Sequence, residues 1–218
     1  MDTRIDPVKA LTPATKQLAD KQASLFCAAW VVTLLLSLSI YLFLLNHEGE
    51  AGAVANPPTV LPVNTIAPSD GKFSLLMFLH PKCPCSRASL NELAKILSRN
   101  PNVKATIVFF RPIYASQDWT ETDVWHTAKS LPAEVKTDVS GLIARKFGAG
   151  TSGDTMLYDQ EGKLLFHGGI TLSRGHEGDN QGESIVNAFL TNSATPAKTC
   201  TPVFGCSLRS IASTERRE

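Results

Sequence analysis

Residues 73–99 read FSLLMFLHPKCPCSRASLNELAKILSR, and this stretch decides the fold. Phe73 to His80 is a short apolar run of the length of a buried strand. Pro81 and the Cys83-Pro84-Cys85 segment interrupt it. From Ser86 to Arg99 the apolar residues Leu90, Leu93, Ile96 and Leu97 recur at helical spacing. A strand that feeds a helix, followed by a second buried strand over Val103 to Phe110, calls for a parallel crossover. Arg111-Pro112 ends that second strand.

Downstream, Thr120 to Ser130 reads as a short helix stopped by Leu131-Pro132. Asp138 can cap a helix over Val139 to Phe147, closed by Gly148. Asp154 to Asp159 and Lys163 to His167 flank Gln160-Glu161-Gly162, a hairpin signal. Ser184 to Leu190 supplies a last amphipathic helix. The expectation is an α/β domain with a mixed sheet covered by helices on both faces.

Upstream, Ser24 to Asn46 carries no charged residue and is Leu-rich throughout. At about 1.5 Å per residue it is long enough for a hydrocarbon core of roughly 30 Å. Arg4, Lys9, Lys16 and Lys21 precede it, and the next Lys or Arg is Lys72. By the positive-inside rule the N-terminus is expected in the cytoplasm and the rest outside it, in the periplasm of an inner-membrane protein. Trp30 and Tyr41 suit interfacial anchors. Ala53-Val54-Ala55 has the form of a signal-peptidase site, but the apolar run is longer than the usual 7–15 residues or so of a signal peptide. Cys27, inside the run, reads as a small packing residue, with palmitoylation as its functional alternative. Residues 47–70, rich in Ala, Pro, Gly and Asn, read as an extended linker lifting the domain off the bilayer, with Val60 to Ile66 as a candidate edge strand.

The chain of 218 residues has 43% apolar content and a formal net charge of +1. That balance recruits no nucleic acid. Its chemistry lies in five cysteines: Cys27, Cys83, Cys85, Cys200 and Cys206. Thiolate is the nucleophile that attacks a disulfide, and a helix N-terminus favours it. Lys82 and Arg87 add positive charge, and no acidic residue lies between His80 and Asn91. His80 is a candidate proton acceptor. Ser86 and Arg87 start the helix with little apolar cover, so both sulfurs are expected to be reachable. The bland alternative is a structural bridge or a pair of inert thiols.

Leu75-Leu76-Met77-Phe78-Leu79-His80-Pro81-Lys82-Cys83-Pro84-Cys85-Ser86, followed by an amphipathic helix, resembles the active-site stretch of thioredoxin-fold proteins. The element order from about Phe73 to Leu190 is similar to that family's core. With HPKCPCSRASL, GGITLSRGHEGDNQG and TPVFGC, the chain looks most like the membrane-anchored RedB-type thioredoxin-like proteins. The resemblance implies a thioredoxin-like domain over 71–192 and thiol–disulfide exchange on protein clients. It implies Cys83 as nucleophile and Cys85 as the resolving cysteine.

Two departures bear on that reading. Thioredoxins have two residues between their cysteines and this chain has only Pro84, so a Cys83–Cys85 bridge closes a smaller, strained ring. Strain makes a disulfide more oxidising, which leans toward disulfide donation or isomerisation. Thioredoxins also carry a cis-proline beside the cysteines that helps dock substrate. Thr151-Ser152-Gly153-Asp154-Thr155-Met156 has none, and Asp154 or Gly153 takes its place. Asp154 beside a thiolate would disfavour the charged sulfur.

Cys200 and Cys206 bracket Thr-Pro-Val-Phe-Gly in a tail expected over 193–218. The default for an exported protein is a structural disulfide between them. The alternative is a relay pair exchanging with Cys83 and Cys85. Gly168 to Gly182 gathers Arg174, His176, Glu177, Asp179 and Asn180. Folded over the cysteines, it would let Arg174 favour thiolate and His176 shuttle protons. Cys83, Cys85 and His176 also make a candidate copper or zinc set. The expected organisation is a cytoplasmic tail at 1–22, a bilayer span at 23–46, the linker, the domain and the tail. The expected chemistry is thiol–disulfide exchange without a cofactor, with copper transfer and a non-catalytic docking module as rival readings.

Overall fold

In the computed structural model, the described residues are 13–53, 55–62, 64–66, 72–193 and 196–208. Val54, the end of the expected linker and the chain from residue 209 lie outside them. So does the N-terminal tail up to residue 12. Two units divide the chain, Met1–His47 and Glu48–Glu218.

The described part of the first unit lies in helix α1, Pro13–Gly49. Its stretch Ala14–His47 is long and apolar enough to cross a membrane. Apolar side chains face outward all round it, among them Leu25, Phe26, Trp30, Leu36 and Phe43, as a lipid-facing helix requires. The hydroxyls of Thr33, Ser37 and Ser39 donate to the carbonyls of Ala29, Thr33 and Leu35 at 2.8–2.9 Å. These three hydroxyls are thus satisfied by the helix itself, without water. Cys27 is exposed on this helix.

The second unit is a five-stranded mixed sheet between helices. Strand β1 (Phe73–Leu79) leads into α2 (Ser86–Arg99), then β2 (Val103–Arg111). A 3-10 turn at Gln117–Thr120 and α3 (Asp123–Lys129) follow, then β3 (Ala133–Val139), α4 (Leu142–Lys146), β4 (Asp154–Tyr158), β5 (Leu164–Gly168) and α5 (Gln181–Thr191). The sheet order is β3-β2-β1-β4-β5. β1 and β2 are parallel, as are β2 and β3, whereas β4 runs antiparallel to both β1 and β5.

Side-chain alternation sorts β1 into two cores. Leu75, Met77 and Leu79 face the layer of Leu90, Leu93, Ile96, Ile185 and Val186 from α2 and α5. Leu76 and Phe78 face Phe110, Ala144, Phe147, Met156 and Tyr158 on the other side. A strand buried on both faces has no polar alternation to show, which is why FSLLMFL reads as one continuous apolar run.

Three expectations are corrected. The segment after α1 is no free spacer: Ala55, Leu61 and Ile66 are buried in the second core, and the Tyr158 hydroxyl donates to the Pro58 carbonyl at 3.1 Å. Its apolar residues find a core to join. The edge strand expected over Val60 to Ile66 reduces to a single antiparallel bridge between Val60 and Lys163. The helix expected over Val139 to Phe147 is shorter, and the residues before it form β3. Asp138 does cap, but from a strand end: its carboxylate accepts from the amides of Ile143 and Ala144, both at 2.8 Å. Ser140 and Gly141 turn the chain between them with φ of 59° and 66°.

The hairpin forms where expected. Asp159 Oδ1 accepts from the amides of Glu161 and Lys163, and Gly162 supplies the positive φ the turn needs. α5 starts three residues earlier than expected because the Asn180 side chain accepts from the Glu183 amide at 2.8 Å, an N-cap.

Candidate active site

His80 follows the C-terminal end of the central strand β1, and the chain turns through Pro81–Pro84 into α2. The Cys83 amide donates to the His80 carbonyl at 3.0 Å and the Ser86 amide to the Cys83 carbonyl at 3.1 Å. Cys85 is the N-cap residue of α2, which has no acidic residue in its first turn. The cysteines therefore stand where free amides converge. Ser86, on the buried side of the helix start, shares a 2.8 Å hydrogen bond with the Ser152 hydroxyl, and Ser152 Oγ accepts from the His80 amide at 2.9 Å. That links the helix start to the turn before β4.

A third sulfur completes the site. The Cys206 amide donates to Cys83 Sγ at 3.4 Å, across 123 residues of chain. Burial alone would push the Cys83 thiol up. The Cys206 thiol and amide, the Cys85 amide and the Ser86 hydroxyl all donate to its sulfur, and together they hold it below the ordinary thiol range. Cys85 moves the other way. Burial and the negative Cys83 sulfur raise it, while the nearby Arg174 guanidinium opposes them with charge and a hydrogen bond. Cys206 is pushed up to about 12, by burial first and then by donating to Cys83. One sulfur is thus set up as the thiolate, flanked by two thiols that donate to it.

The expected accessibility is corrected. Cys83 is 1% exposed and Cys85 9%. The cover is a C-terminal strap. It is held by Gly52 N to Val203 O at 2.8 Å, Ser152 N to Cys206 O at 2.8 Å and Leu208 N to Gly150 O at 2.9 Å. A bridge between Thr151 and Ser207 adds to these. Its own Val203 and Leu208 are buried. A Cβ on Gly205 would lie 2.0 Å from the Ser152 carbonyl oxygen, so only glycine allows the strap to come this close. Arg174 Nη1 donates to the Gly205 carbonyl at 2.7 Å and joins the glycine-rich loop to the strap.

That loop is fixed to α2 as well. Glu92, fully buried, accepts from the Gly178 amide at 2.7 Å and from Lys95 at 2.8 Å, and Asn91 donates to Glu177 at 2.7 Å. Arg174 lies within hydrogen-bonding reach of Cys85. His176 does not: it is exposed, with its amide on the Ser173 carbonyl. Among the described residues no three His, Cys, Asp or Glu are gathered as a metal site, so Cys83, Cys85 and His176 are not brought together as ligands.

The other expected auxiliaries face elsewhere. His80 stacks on Phe110 with ring centroids 5.9 Å apart and meets the edge of Trp119 at 5.5 Å. Burial and then the Lys82 charge lower its pKa, favouring the neutral ring. Lys82 Nζ lies 4.6 Å above the Trp119 ring, and Arg87 is 3.8 Å from Asp123 on the open surface. Asp154 does not sit on a sulfur. Its Oδ2 accepts from the Gly150 and Thr151 amides at 2.9 and 3.0 Å, and its Oδ1 is buried without a partner among the described residues. Ser152 and Gly153 stand in the turn before β4, the latter at φ 102° with its amide on the Phe78 carbonyl.

Cys200 and Cys206 are both free thiols here and keep different company. Cys200 is exposed, in a parallel bridge with His167 at the far end of the strap. The sequence separates the two by only five residues, yet the strap runs extended between them and carries them to different neighbours. Cys200 stays outside the site, and Cys206, one member of the alternative relay pair, joins it. Its signal was Gly205, a residue without a side chain directly before a cysteine.

No protein-family model matches the chain, and neither does any curated protein. Solved structures do. A hypothetical protein from Sinorhizobium meliloti is 20% identical over 75% of this chain and 96% of that one, with a TM-score of 0.55. An uncharacterized conserved protein from Geobacillus kaustophilus is 20% identical over 74% and 92%, with a TM-score of 0.54. A secreted Mycobacterium tuberculosis disulfide oxidoreductase is more distant, 16% identical over 56% and 83%, with a TM-score of 0.40. At these identities the likeness concerns the fold alone. That fold is thioredoxin-like, a mixed five-stranded sheet flanked by helices, preceded by one apolar helix that could span a membrane.

Proposed function

We propose that this chain is a thiol–disulfide oxidoreductase, anchored in a membrane by α1, whose domain works outside the cytoplasm on the thiols or disulfides of other proteins. The observation that carries the reading is the Cys83 sulfur, which lies at the start of α2 and accepts from the Cys206 amide, with the Cys206 thiol and the Cys85 amide also favouring its charged form. The Lys and Arg bias ahead of the apolar run supports the placement.

In the reducing direction the Cys83 thiolate attacks a client disulfide. A Cys83–client S–S bond forms, and the client's other sulfur leaves as thiolate. Cys85 then attacks Cys83 Sγ and releases the second client thiolate. The protein gives up two electrons and the client gains them. Run backward, the same steps donate a disulfide, and the small ring closed across Pro84 favours that direction.

The test uses the full chain in detergent, assayed for insulin reduction and for oxidation of a reduced dithiol peptide. Activity in at least one direction is expected, falling roughly a hundredfold or more in Cys83→Ser. Wild type and Cys83→Ser that cannot be told apart in both assays would end the reading.

A further inference from the structure

The strap is more than a cover. It lies extended along the 150–152 turn, exchanges backbone hydrogen bonds with it through Ser152, and sets one cysteine against Cys83. An extended segment of a client, presenting its own cysteine, would have to dock in the same way. Cys206 is also the one residue of the three that is not buried.

We propose that Cys206 is a third redox thiol of this centre, one that exchanges with a Cys83–Cys85 disulfide to form Cys83–Cys206 and so carries the disulfide to the surface. The proposal rests on the oxidoreductase reading and extends it.

The step needs no outside oxidant. Cys206 loses its proton, and its sulfur attacks Cys83 Sγ. The Cys83–Cys206 bond forms as the Cys83–Cys85 bond breaks, and the electron pair leaves on Cys85, where the Arg174 guanidinium stands. Cys85 takes up a proton, so one disulfide and one thiol remain. The attack starts without its main electrostatic obstacle, because Cys83 and Cys85 carry no negative charge once bonded to each other. The product places a disulfide sulfur on the half-exposed strap. A client thiolate attacking Cys206 Sγ would expel Cys83, the sulfur best suited to leave as thiolate. The client's second thiol then displaces Cys206, which closes the client disulfide and returns both protein sulfurs to thiols. Cys200 takes no part.

The test equilibrates the full chain in detergent with a glutathione redox buffer, quenches with acid, alkylates the free thiols, and digests with trypsin and chymotrypsin. Cleavage after Phe204 separates Cys206 from Cys200. The expected result is a cross-link between the peptide 83–87 and the peptide 205–208. In Cys85→Ser that cross-link should become the main intramolecular product, and Cys200→Ser should leave it unchanged. The proposal is overturned if wild type and Cys85→Ser both lack the cross-link, with Cys83 of the latter found only as its glutathione adduct. A Cys83–Cys85 disulfide present in that experiment would leave the oxidoreductase reading standing. Absence of any disulfide on Cys83 in wild type would overturn both.

Discussion

Hydrogen-bond donors converge on Cys83 Sγ from three directions, and the largest share comes from one residue, Cys206. Truncating that residue to Ala keeps its amide and removes its thiol. Burial is then opposed by fewer donors, so the pH at which Cys83 becomes alkylatable should rise. The readout is the pH profile of iodoacetamide labelling of Cys83, followed by mass spectrometry. A profile that stays put, or moves to lower pH, would contradict the assignment of Cys206 as a donor. A second residue-scale prediction concerns Asp154. Burial raises its carboxyl to about 6, against the pull of two amide hydrogen bonds. The folded state therefore holds a proton that the unfolded state gives up near pH 4. That contribution to stability is whole below the unfolded value and is lost as pH rises through about 6, a loss of roughly 3 kcal/mol in all. Asp154→Asn keeps an acceptor for the two amides and removes the titration. Its stability should be flatter than wild type between pH 4 and 7 in denaturant titrations, and an equal slope in the two proteins would refute this. Cys83 and Cys85 were legible in the sequence because a strand, a short turn and a helix are local events. Cys206 was legible only as one member of an alternative relay pair, since no local pattern records a contact across 123 residues.

At the scale of elements, the strap governs access. Its fit depends on Gly205, whose missing side chain lets Ser152 approach. Gly205→Ala would force the strap off the turn, at a cost of about 1–3 kcal/mol as for other overpacked sites. Cys83, now uncovered, should react with a bulky maleimide about tenfold faster or more. Labelling at the wild-type rate would mean that the strap does not gate the sulfur. The elements themselves were unevenly readable. β1, α2, β2 and the hairpin carry strong periodicity or turn chemistry, and they form close to where the residues place them. β3 was hidden although Ala133, Val135, Thr137 and Val139 alternate with Glu134, Lys136 and Asp138. Asp138 looked like a helix cap, and it is one, reached from the end of a strand. A capping side chain fixes where a helix starts but says nothing of how the chain arrives there.

At the scale of the whole molecule the chemistry depends on compartment. A cluster of free thiols would stay reduced in a cytoplasm buffered by glutathione, and a strained disulfide would not persist there. The four Lys and Arg residues before the apolar run 24–46, with none between it and Lys72, support the proposed export of everything that follows. Cys200 offers a direct probe, being exposed and outside the proposed exchange centre. In a Cys83→Ser, Cys85→Ser, Cys206→Ser chain only Cys27 and Cys200 remain, and Cys27 lies within the apolar run, where a charged reagent does not penetrate. A membrane-impermeant maleimide applied to intact spheroplasts of a bacterium making this chain should label Cys200 without lysis. Glu substitutions cannot reverse that orientation, because the rule counts Lys and Arg, whereas moving positive charge across the span should reverse it. Replacing Arg4, Lys9, Lys16 and Lys21 with Gln, and adding Lys at positions 50–53, should make labelling depend on lysis. If the unaltered chain already needs lysis to be labelled, the domain faces the cytoplasm, and the exchange chemistry proposed for its sulfurs loses the oxidising surroundings it requires.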